Sequence, residues 1–189
     1  MKILNFDRSN LMCYFSQNYF QGSSNLQIAE IGSYEGSFAK LILGAFPDCS
    51  LNMVDLWQTE NNDFYYSVRS GAAELAYEIA KKNFSHLSNV KMHKGLSSVI
   101  SSNFDDESLD LVYIDADHSY EGALKDLQLW YSKVKSGGIV SGHDCNADPG
   151  TQEHYLFGVQ AAIKNFYSDT DRITLTNERY HKSWYWVKP

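Results

Sequence analysis

QIAEIGSYEG, at residues 27–36, carries more information about the fold of this 189-residue chain than any other segment. Its first five residues have the length and apolar character of a buried strand, and Gly32 and Gly36 allow a tight turn into a helix predicted for residues 37–46. The free amides at the start of such a helix can bind an anionic group. The segment therefore predicts a strand, a ligand-binding loop and a helix at one edge of an α/β sheet.

The rest of the chain repeats this alternation of strand-length apolar runs with stretches of helical periodicity, which is typical of stacked β-α-β units. Strands are predicted at residues 27–31, 51–55, 90–93, 109–115, 138–142, 172–176 and 183–187. Helices are predicted at residues 37–46, 71–84, 120–134 and 155–167, with a preliminary helix outside the sheet at residues 9–20. The short link between the last two strands suits a hairpin, so the mostly parallel sheet should end in antiparallel pairing.

Length and composition limit the kinds of protein this can be. We expect residues 1–189 to form a single domain, with residues 1–24 as an N-terminal helical extension. The net charge of −7 and the lack of a long basic run argue against a nucleic-acid partner. No segment has the apolar length of a membrane span or the pattern of a signal peptide. Three widely spaced cysteines indicate neither a disulfide framework nor a thiolate zinc site, which fits a cytoplasmic location.

Acidic residues accompany the glycine turn. Asp55 ends the second predicted strand, 23 residues after Gly32, where its carboxylate can accept hydrogen bonds from a ribose; the alternative is a helix cap or loop acid. Glu30 ends an apolar strand, and a carboxylate near the interior needs hydrogen-bond donors. The spacing G-x-x-x-G differs from the G-x-G-x-x-G of dinucleotide sites and disfavours a nicotinamide cofactor.

A second segment, IDADHSY at residues 114–120, supplies acids and a histidine at the end of the fourth of these strands. Asp115 there and Asp144 after the next strand should converge, and their oxygens suit Mg²⁺, Ca²⁺ or Mn²⁺. His118 and His143 would shift the preference toward Mn²⁺, Fe²⁺ or Zn²⁺. Either histidine could instead act as a general base or simply bind backbone carbonyls. Asp117 either joins this site or caps the following helix.

The glycine turn with Asp55 resembles motif I and the acidic motif II of class I S-adenosylmethionine-dependent methyltransferases. Residues 110–122, 137–144 and 158–166 are similar to a subfamily like the small-molecule O-methyltransferases of the catechol and caffeoyl-coenzyme A type. The resemblance covers about residues 26–188. It implies an α/β, Rossmann-like three-layer sandwich whose seven-stranded, mostly parallel sheet has an antiparallel last strand.

The resemblance also implies roles for particular residues. The methyl donor S-adenosylmethionine would contact Glu30, Gly32, Ser33, Tyr34, Gly36, Asp55, Leu56, Leu96, Ser97 and Asp115. Within this set Asp55 would bind the ribose, and Leu96 or Ser97 would border the adenine. For a divalent metal (Mg, Mn or Ca), Asp115 and Asp144 match two of the family's ligands, but Cys145 stands where the third is usually an asparagine. His118 or His143 would have to replace that ligand, and Asp115, Asp144 and His143 are the predicted set. His118, His143 and Asp115 are the candidate catalytic residues.

The function predicted from these features is transfer of a methyl group from S-adenosylmethionine to an oxygen of a small-molecule acceptor. Other hypotheses are a nicotinamide-dependent oxidoreductase, a non-catalytic methyltransferase-like binding domain, and a metal-dependent hydrolase or hydroxylase that uses the Asp and His residues. A homodimer and a monomer both stay open. Residues 57–69 combine polar and aromatic side chains and are a candidate substrate wall; an ordinary surface loop is the alternative.

Overall fold

The computed structural model describes residues 1–58, 72–145 and 158–189. The described helices are α1 (Leu11–Asn18), α2 (Ser37–Ala45), α3 (Ala72–Phe84), α4 (Ser97–Ile100), α5 (Tyr120–Tyr131) and α6 (Val159–Phe166). The described strands are β1 (Lys2–Ile3), β2 (Gln27–Ile31), β3 (Ser50–Asp55), β4 (Val90–Lys94), β5 (Leu109–Ile114), β6 (Val134–Cys145), β7 (Thr174–Leu175) and β8 (Lys182–Val187). Most of the candidate substrate wall at residues 57–69 and the predicted starts of two helices, at residues 71 and 155, lie outside the described ranges.

The described strands form one sheet in the order β1-β7-β8-β6-β5-β2-β3-β4. Strands β2 to β6 are mutually parallel where they pair, whereas β8 runs antiparallel to both β6 and β7. The mostly parallel α/β sheet with an antiparallel ending is thus confirmed. Among the described residues the sheet has eight strands where seven were predicted, because the two-residue strand β1 pairs with β7. A strand of two residues is too short to show alternation in the sequence.

Helices cover both faces of the sheet, as expected for a Rossmann-like three-layer sandwich. Ile28, Leu51 and Leu111 point into a core shared with α1, α2 and α3. Their neighbours Ala29 and Val112 point into a second core, shared with α5 and α6. Alternate residues of a strand face opposite sides, so strands that are apolar throughout become buried on both faces.

The N-terminal segment lies along the antiparallel end of the sheet. Backbone N–H groups of Lys2 and Leu4 donate to the carbonyls of Ile173 and Leu175 at 2.9 and 2.8 Å. After β1, which is parallel to β7, the chain continues toward α1, and Arg8 in this segment contacts Asp115 directly after β5. Within the described ranges, no helix has both the length and the apolar character needed to cross a bilayer.

Candidate functional site

The turn after β2 brings the ends of β2 and β5 into direct contact. Gly32 has φ +89°, and a Cβ at this position would lie 2.0 Å from the carbonyl oxygen of Asp115. Gly36 has φ +82°, and its Cβ would lie 2.2 Å from the ring of Phe84. Both positions therefore require glycine, for backbone conformation and for space. The glycine turn and Asp115 are neighbours at the edge formed by the carboxyl ends of β2 to β6, which we call the carboxyl edge.

Asp55 fixes the conformation of the glycine turn. One carboxylate oxygen accepts the backbone N–H of Tyr34 at 2.8 Å, and the other accepts that of Trp57 at 2.8 Å. The indole N–H of Trp57 in turn donates to the Tyr34 carbonyl at 2.7 Å. A carboxylate oxygen can accept a second hydrogen bond, so these contacts leave capacity for a ribose hydroxyl. Ribose binding by Asp55 stays a prediction.

Glu30 is buried beneath the glycine turn, with 2% of its surface exposed. Burial raises the pKa of its carboxyl to about 8, so the group is mainly neutral at pH 7. Its Oε2 atom has no hydrogen-bond partner among the described residues. An unpartnered buried oxygen is costly unless a ligand supplies a donor, which fits the predicted contact of Glu30 with the methyl donor.

The predicted adenine border lies after β4. Leu96 is 48% exposed and open to contact with a ligand. The hydroxyl of Ser97 donates to Asp126 at 2.5 Å and accepts the indole N–H of Trp130 at 2.8 Å. Burial raises the pKa of Asp126 to about 6, and the bond from Ser97 only partly opposes that shift. Ser97 is therefore held by α5 beside Leu96.

The raised pKa of Asp126 predicts a pH-dependent contribution to stability. A folded pKa near 6 against an ordinary value of 3.8 means that this contribution is fully present below about pH 4 and is lost as the pH rises through 6. The loss is about 3 kcal/mol at neutral pH. The Asp126→Asn variant should lack it, so urea unfolding of both proteins between pH 3 and 8 should give free energies that diverge between pH 4 and 6. Parallel curves would contradict the assignment.

The acids and histidines of the second segment converge at the carboxyl edge, as their positions after β5 and within the end of β6 predict. His118 Nε2 lies 3.5 Å from Asp115 Oδ1 and 3.0 Å from Asp144 Oδ2. His143 Nδ1 lies 3.8 Å from Asp115 Oδ1 and 3.2 Å from Asp144 Oδ2. Asp144 adopts the left-handed backbone region at φ +60°, which aspartate tolerates better than most residues.

A third histidine, which the sequence did not indicate, also contacts Asp144. His181, at the end of the β7–β8 hairpin, places Nδ1 2.6 Å from Asp144 Oδ1. We call Asp115, His118, His143, Asp144 and His181 the Asp–His cluster.

Burial opposes protonation of His118, but hydrogen bonds to the two aspartates and their charges raise its pKa to about 9. Burial acts against ionisation of Asp144, yet its bonds to His118 and His143 hold its pKa well below the usual value.

Asp117 and Cys145 lie outside the cluster. Asp117 accepts the backbone N–H of Ser119 at 2.8 Å, and Ser119 itself caps α5 by accepting the N–H of Gly122. Cys145 is fully buried in the second core, and burial raises the pKa of its thiol to about 12. A neutral, buried thiol is a poor metal ligand, so Cys145 does not take the place of the family's asparagine.

Arg8 is the other site residue that the sequence did not indicate. Its Nη2 donates to Asp115 Oδ2 at 2.6 Å, on the opposite side of that carboxylate from the histidines. Its backbone N–H donates to Glu178 of the hairpin. The segment before α1 thus adds a cation at the junction between the glycine turn and the Asp–His cluster.

The arrangement fits both implied groups. Asp115, His118 and Asp144 each offer a ligand atom, and these atoms lie within 4.8 Å of one another. Two carboxylates with an imidazole suit Mn²⁺, Fe²⁺ or Zn²⁺ better than Mg²⁺ or Ca²⁺. For a methyl donor, the glycine turn provides close backbone approach, and the buried Glu30 oxygen provides an acceptor without a partner.

Comparison with known proteins agrees with this arrangement. A family model described as "Methyltransferase domain" matches residues 29–145, from β2 to the end of β6. A search of curated proteins found no match.

Solved structures with the same fold cover nearly the whole chain. The O-methyltransferase NovP has a TM-score of 0.69 and 18% identity, over 96% of this chain and 79% of NovP. A Staphylococcus aureus protein assigned as a caffeoyl-CoA O-methyltransferase has a TM-score of 0.64 and 15% identity, over 95% and 82%. A protein from Clostridium thermocellum assigned as an rRNA methylase has a TM-score of 0.65 and 10% identity, over 98% and 97%. At these identities the similarity establishes the fold alone.

Proposed function

The chain belongs to the methyltransferase-domain family whose model matches residues 29–145, and we propose that it transfers a methyl group from S-adenosylmethionine to an oxygen of a small molecule. The observation that carries the proposal is the position of the Asp–His cluster beside the glycine turn. Asp115 belongs to the cluster, and its carbonyl oxygen is the atom that a Cβ on Gly32 would strike. Proton-accepting groups and the donor loop therefore meet at one point of the carboxyl edge.

The donor supplies an electrophilic methyl group on a sulfonium centre, and the protein has to hold it and ionise the acceptor. We assign donor contacts to the glycine turn, Glu30 and Asp55, with Leu96 and Ser97 beside the adenine. A hydroxyl placed between the turn and the cluster would give its proton to His143 as the methyl group moves, because the raised pKa of His118, about 9, keeps that imidazole mainly protonated at pH 7. Asp144, within 3.2 Å of both imidazoles, would stabilise the imidazolium that results.

A divalent cation is the second way to ionise the acceptor at this place. Asp115, His118 and Asp144 would hold it, and the cation would lower the pKa of a bound hydroxyl. In that case His143 or His181 would remain as the proton acceptor beside Asp144. The mixture of carboxylates and histidines at this place favours a metal that accepts nitrogen ligands, such as Mn²⁺, Fe²⁺ or Zn²⁺.

A small acceptor suits this chain better than a nucleic acid does. The net charge of −7 would repel a polyanion, although a neighbour of the same fold is assigned as an rRNA methylase.

We further propose that residues 1–189 act as one domain in the cytoplasm. Cys13, Cys49 and Cys145 are all free thiols, as expected in a reducing compartment.

Ligand-dependent melting tests donor binding. S-adenosylhomocysteine, the product of the donor, should stabilise the protein by about 2.7 kcal/mol at 100 times its dissociation constant. For a domain of this size that corresponds to a rise in Tm of roughly 5–10 °C. NAD at the same concentration should leave the Tm unchanged. Stabilisation by NAD alone would contradict the methyltransferase assignment and favour an oxidoreductase.

Transfer itself is tested with radiolabelled S-adenosylmethionine and a panel of phenols, aliphatic alcohols, amines and thiols. Label should appear as a methyl ether on one or more hydroxyl compounds. Methylation of amines or thiols alone would contradict oxygen as the acceptor atom. Donor binding without methylation of any compound would favour the non-catalytic binding domain.

A further inference from the structure

The side chain of Arg8 occupies a defined position between the donor loop and the Asp–His cluster. Its Cζ lies 4.5 Å from the ring centroid of Phe38, in the first turn of α2, and 5.3 Å from that of Tyr113 in β5. These two rings are themselves stacked, with centroids 3.8 Å apart. Aromatic faces hold a guanidinium by cation–π attraction and limit its rotation. Arg8 is therefore fixed above the ends of β2 and β5 before any ligand binds.

Arg8 has hydrogen-bonding capacity that the described residues do not use. Nη2 bonds to Asp115, but the buried Nε–H has no partner among the described residues. A guanidinium offers five donors in a planar fork that matches a carboxylate. An unused buried donor on a cation is costly, and an anionic ligand group would remove that cost.

Arg8 and Asp115 together form a cation and an anion in contact, 2.6 Å apart. A group that complements such a pair must itself carry both charges close together. An α-amino acid does so, because its ammonium group suits the aspartate and its carboxylate suits the arginine. The methionine end of the donor is such a zwitterion.

We propose that Arg8 binds the α-carboxylate of the methyl donor, with Asp115 receiving the α-ammonium group. This assignment rests on the proposed function and adds a residue from the N-terminal segment to the donor site. Asp115 then has one oxygen, Oδ2, toward Arg8 and the donor, and the other, Oδ1, toward His118 and His143. The Asp115 carboxylate thus connects the donor-binding residues with the histidines beside which the acceptor would react.

Calorimetric titration with three ligands tests the assignment. S-adenosylhomocysteine carries both charged groups, its decarboxylated analogue lacks only the carboxylate, and 5′-methylthioadenosine lacks the whole amino-acid end. The wild-type protein should bind the decarboxylated analogue about 10- to 100-fold more weakly than S-adenosylhomocysteine, the range expected for a charge-assisted hydrogen bond. The Arg8→Gln variant should lose the same factor for S-adenosylhomocysteine and nothing for 5′-methylthioadenosine.

Two further variants control this experiment. Arg8→Lys keeps the charge without the fork and should bind S-adenosylhomocysteine with intermediate affinity. Arg172→Gln removes an exposed arginine that pairs with Asp169 and should match the wild type for all three ligands.

Several results would overturn the assignment. Equal losses for S-adenosylhomocysteine and 5′-methylthioadenosine in Arg8→Gln would show that Arg8 only supports the fold. Unchanged binding of S-adenosylhomocysteine in that variant would also refute it, and so would a decarboxylated analogue that binds the wild type as tightly as S-adenosylhomocysteine does. These outcomes leave the methyltransferase proposal standing. Failure of the wild type to bind any of the three ligands would instead overturn the proposed function, and this assignment with it.

Discussion

The Asp144→Asn variant should lose about 10²- to 10⁴-fold in kcat for methyl transfer while it still binds S-adenosylhomocysteine. Asp144 is the shared partner of three histidines, at 3.0 Å from His118, 3.2 Å from His143 and 2.6 Å from His181. An asparagine has no negative charge, and its amide nitrogen cannot accept a hydrogen bond. The variant therefore loses stabilisation of an imidazolium and, if a metal is bound, one anionic ligand.

Asp117→Asn is the matched control for this prediction. Asp117 lies on the same loop as Asp115, but its carboxylate accepts only the Ser119 N–H among the bonds described, and an asparagine oxygen can do the same. Its kcat should stay within about 3-fold of wild type, as is usual for a change that keeps the hydrogen bond. Wild-type turnover in Asp144→Asn would show that the Asp–His cluster is not the site of reaction.

Treatment of the wild type with a chelator then separates the two chemistries of the cluster. Loss of activity that Mn²⁺ or Zn²⁺ restores better than Mg²⁺ does would assign a metal to Asp115, His118 and Asp144. Activity unaffected by the chelator would assign ionisation of the acceptor to a histidine alone. In both cases Asp144→Asn should still lower kcat, since the Asp144 carboxylate would either bind the metal or stabilise the imidazolium.

Most of the fold follows from local patterns in the sequence. Mainly apolar runs such as residues 109–115 predict strands buried on both faces, and the short link before β8 predicts the antiparallel ending. The placement of Asp115 and Asp144 at the carboxyl edge follows from the ends of parallel strands. Whether Asp117 joins the site could not be read from spacing, because its carboxylate has an equally good local partner in the Ser119 backbone.

The missed residues reach the site from distant parts of the chain. Arg8 and Asp115 are 107 residues apart, and His181 and Asp144 are 37 residues apart. Neither arginine nor histidine stands in a local pattern that indicates its partner. The position of Arg8 depends on the pairing of β1 with β7, and that of His181 depends on its own left-handed backbone conformation in the hairpin, with φ +53°. Contacts of this kind are set by tertiary packing and become visible only in the folded chain.

The Gly32→Ala variant should be the most destabilising change of a single methyl group at the donor site. Its Cβ would lie 2.0 Å from the Asp115 carbonyl oxygen and 2.8 Å from the Ala116 Cα, both of them backbone atoms. The ends of β2 and β5 cannot separate easily, because the Asp115 N–H donates to the Ile31 carbonyl at 2.7 Å. We expect a loss of at least about 4 kcal/mol, from backbone strain and overpacking together.

Gly22→Ala separates these two causes. Gly22 has φ +77°, close to that of Gly32, but a Cβ there would meet nothing within 4 Å. It should therefore show the backbone strain alone, about 1–2 kcal/mol, or a fall in Tm of roughly 2–8 °C. Gly32→Ala should melt at least about 4 °C below Gly22→Ala or fail to fold. Equal melting temperatures would mean that the ends of β2 and β5 yield to an added methyl group, and that the close approach of the donor loop to Asp115 is not fixed by Gly32.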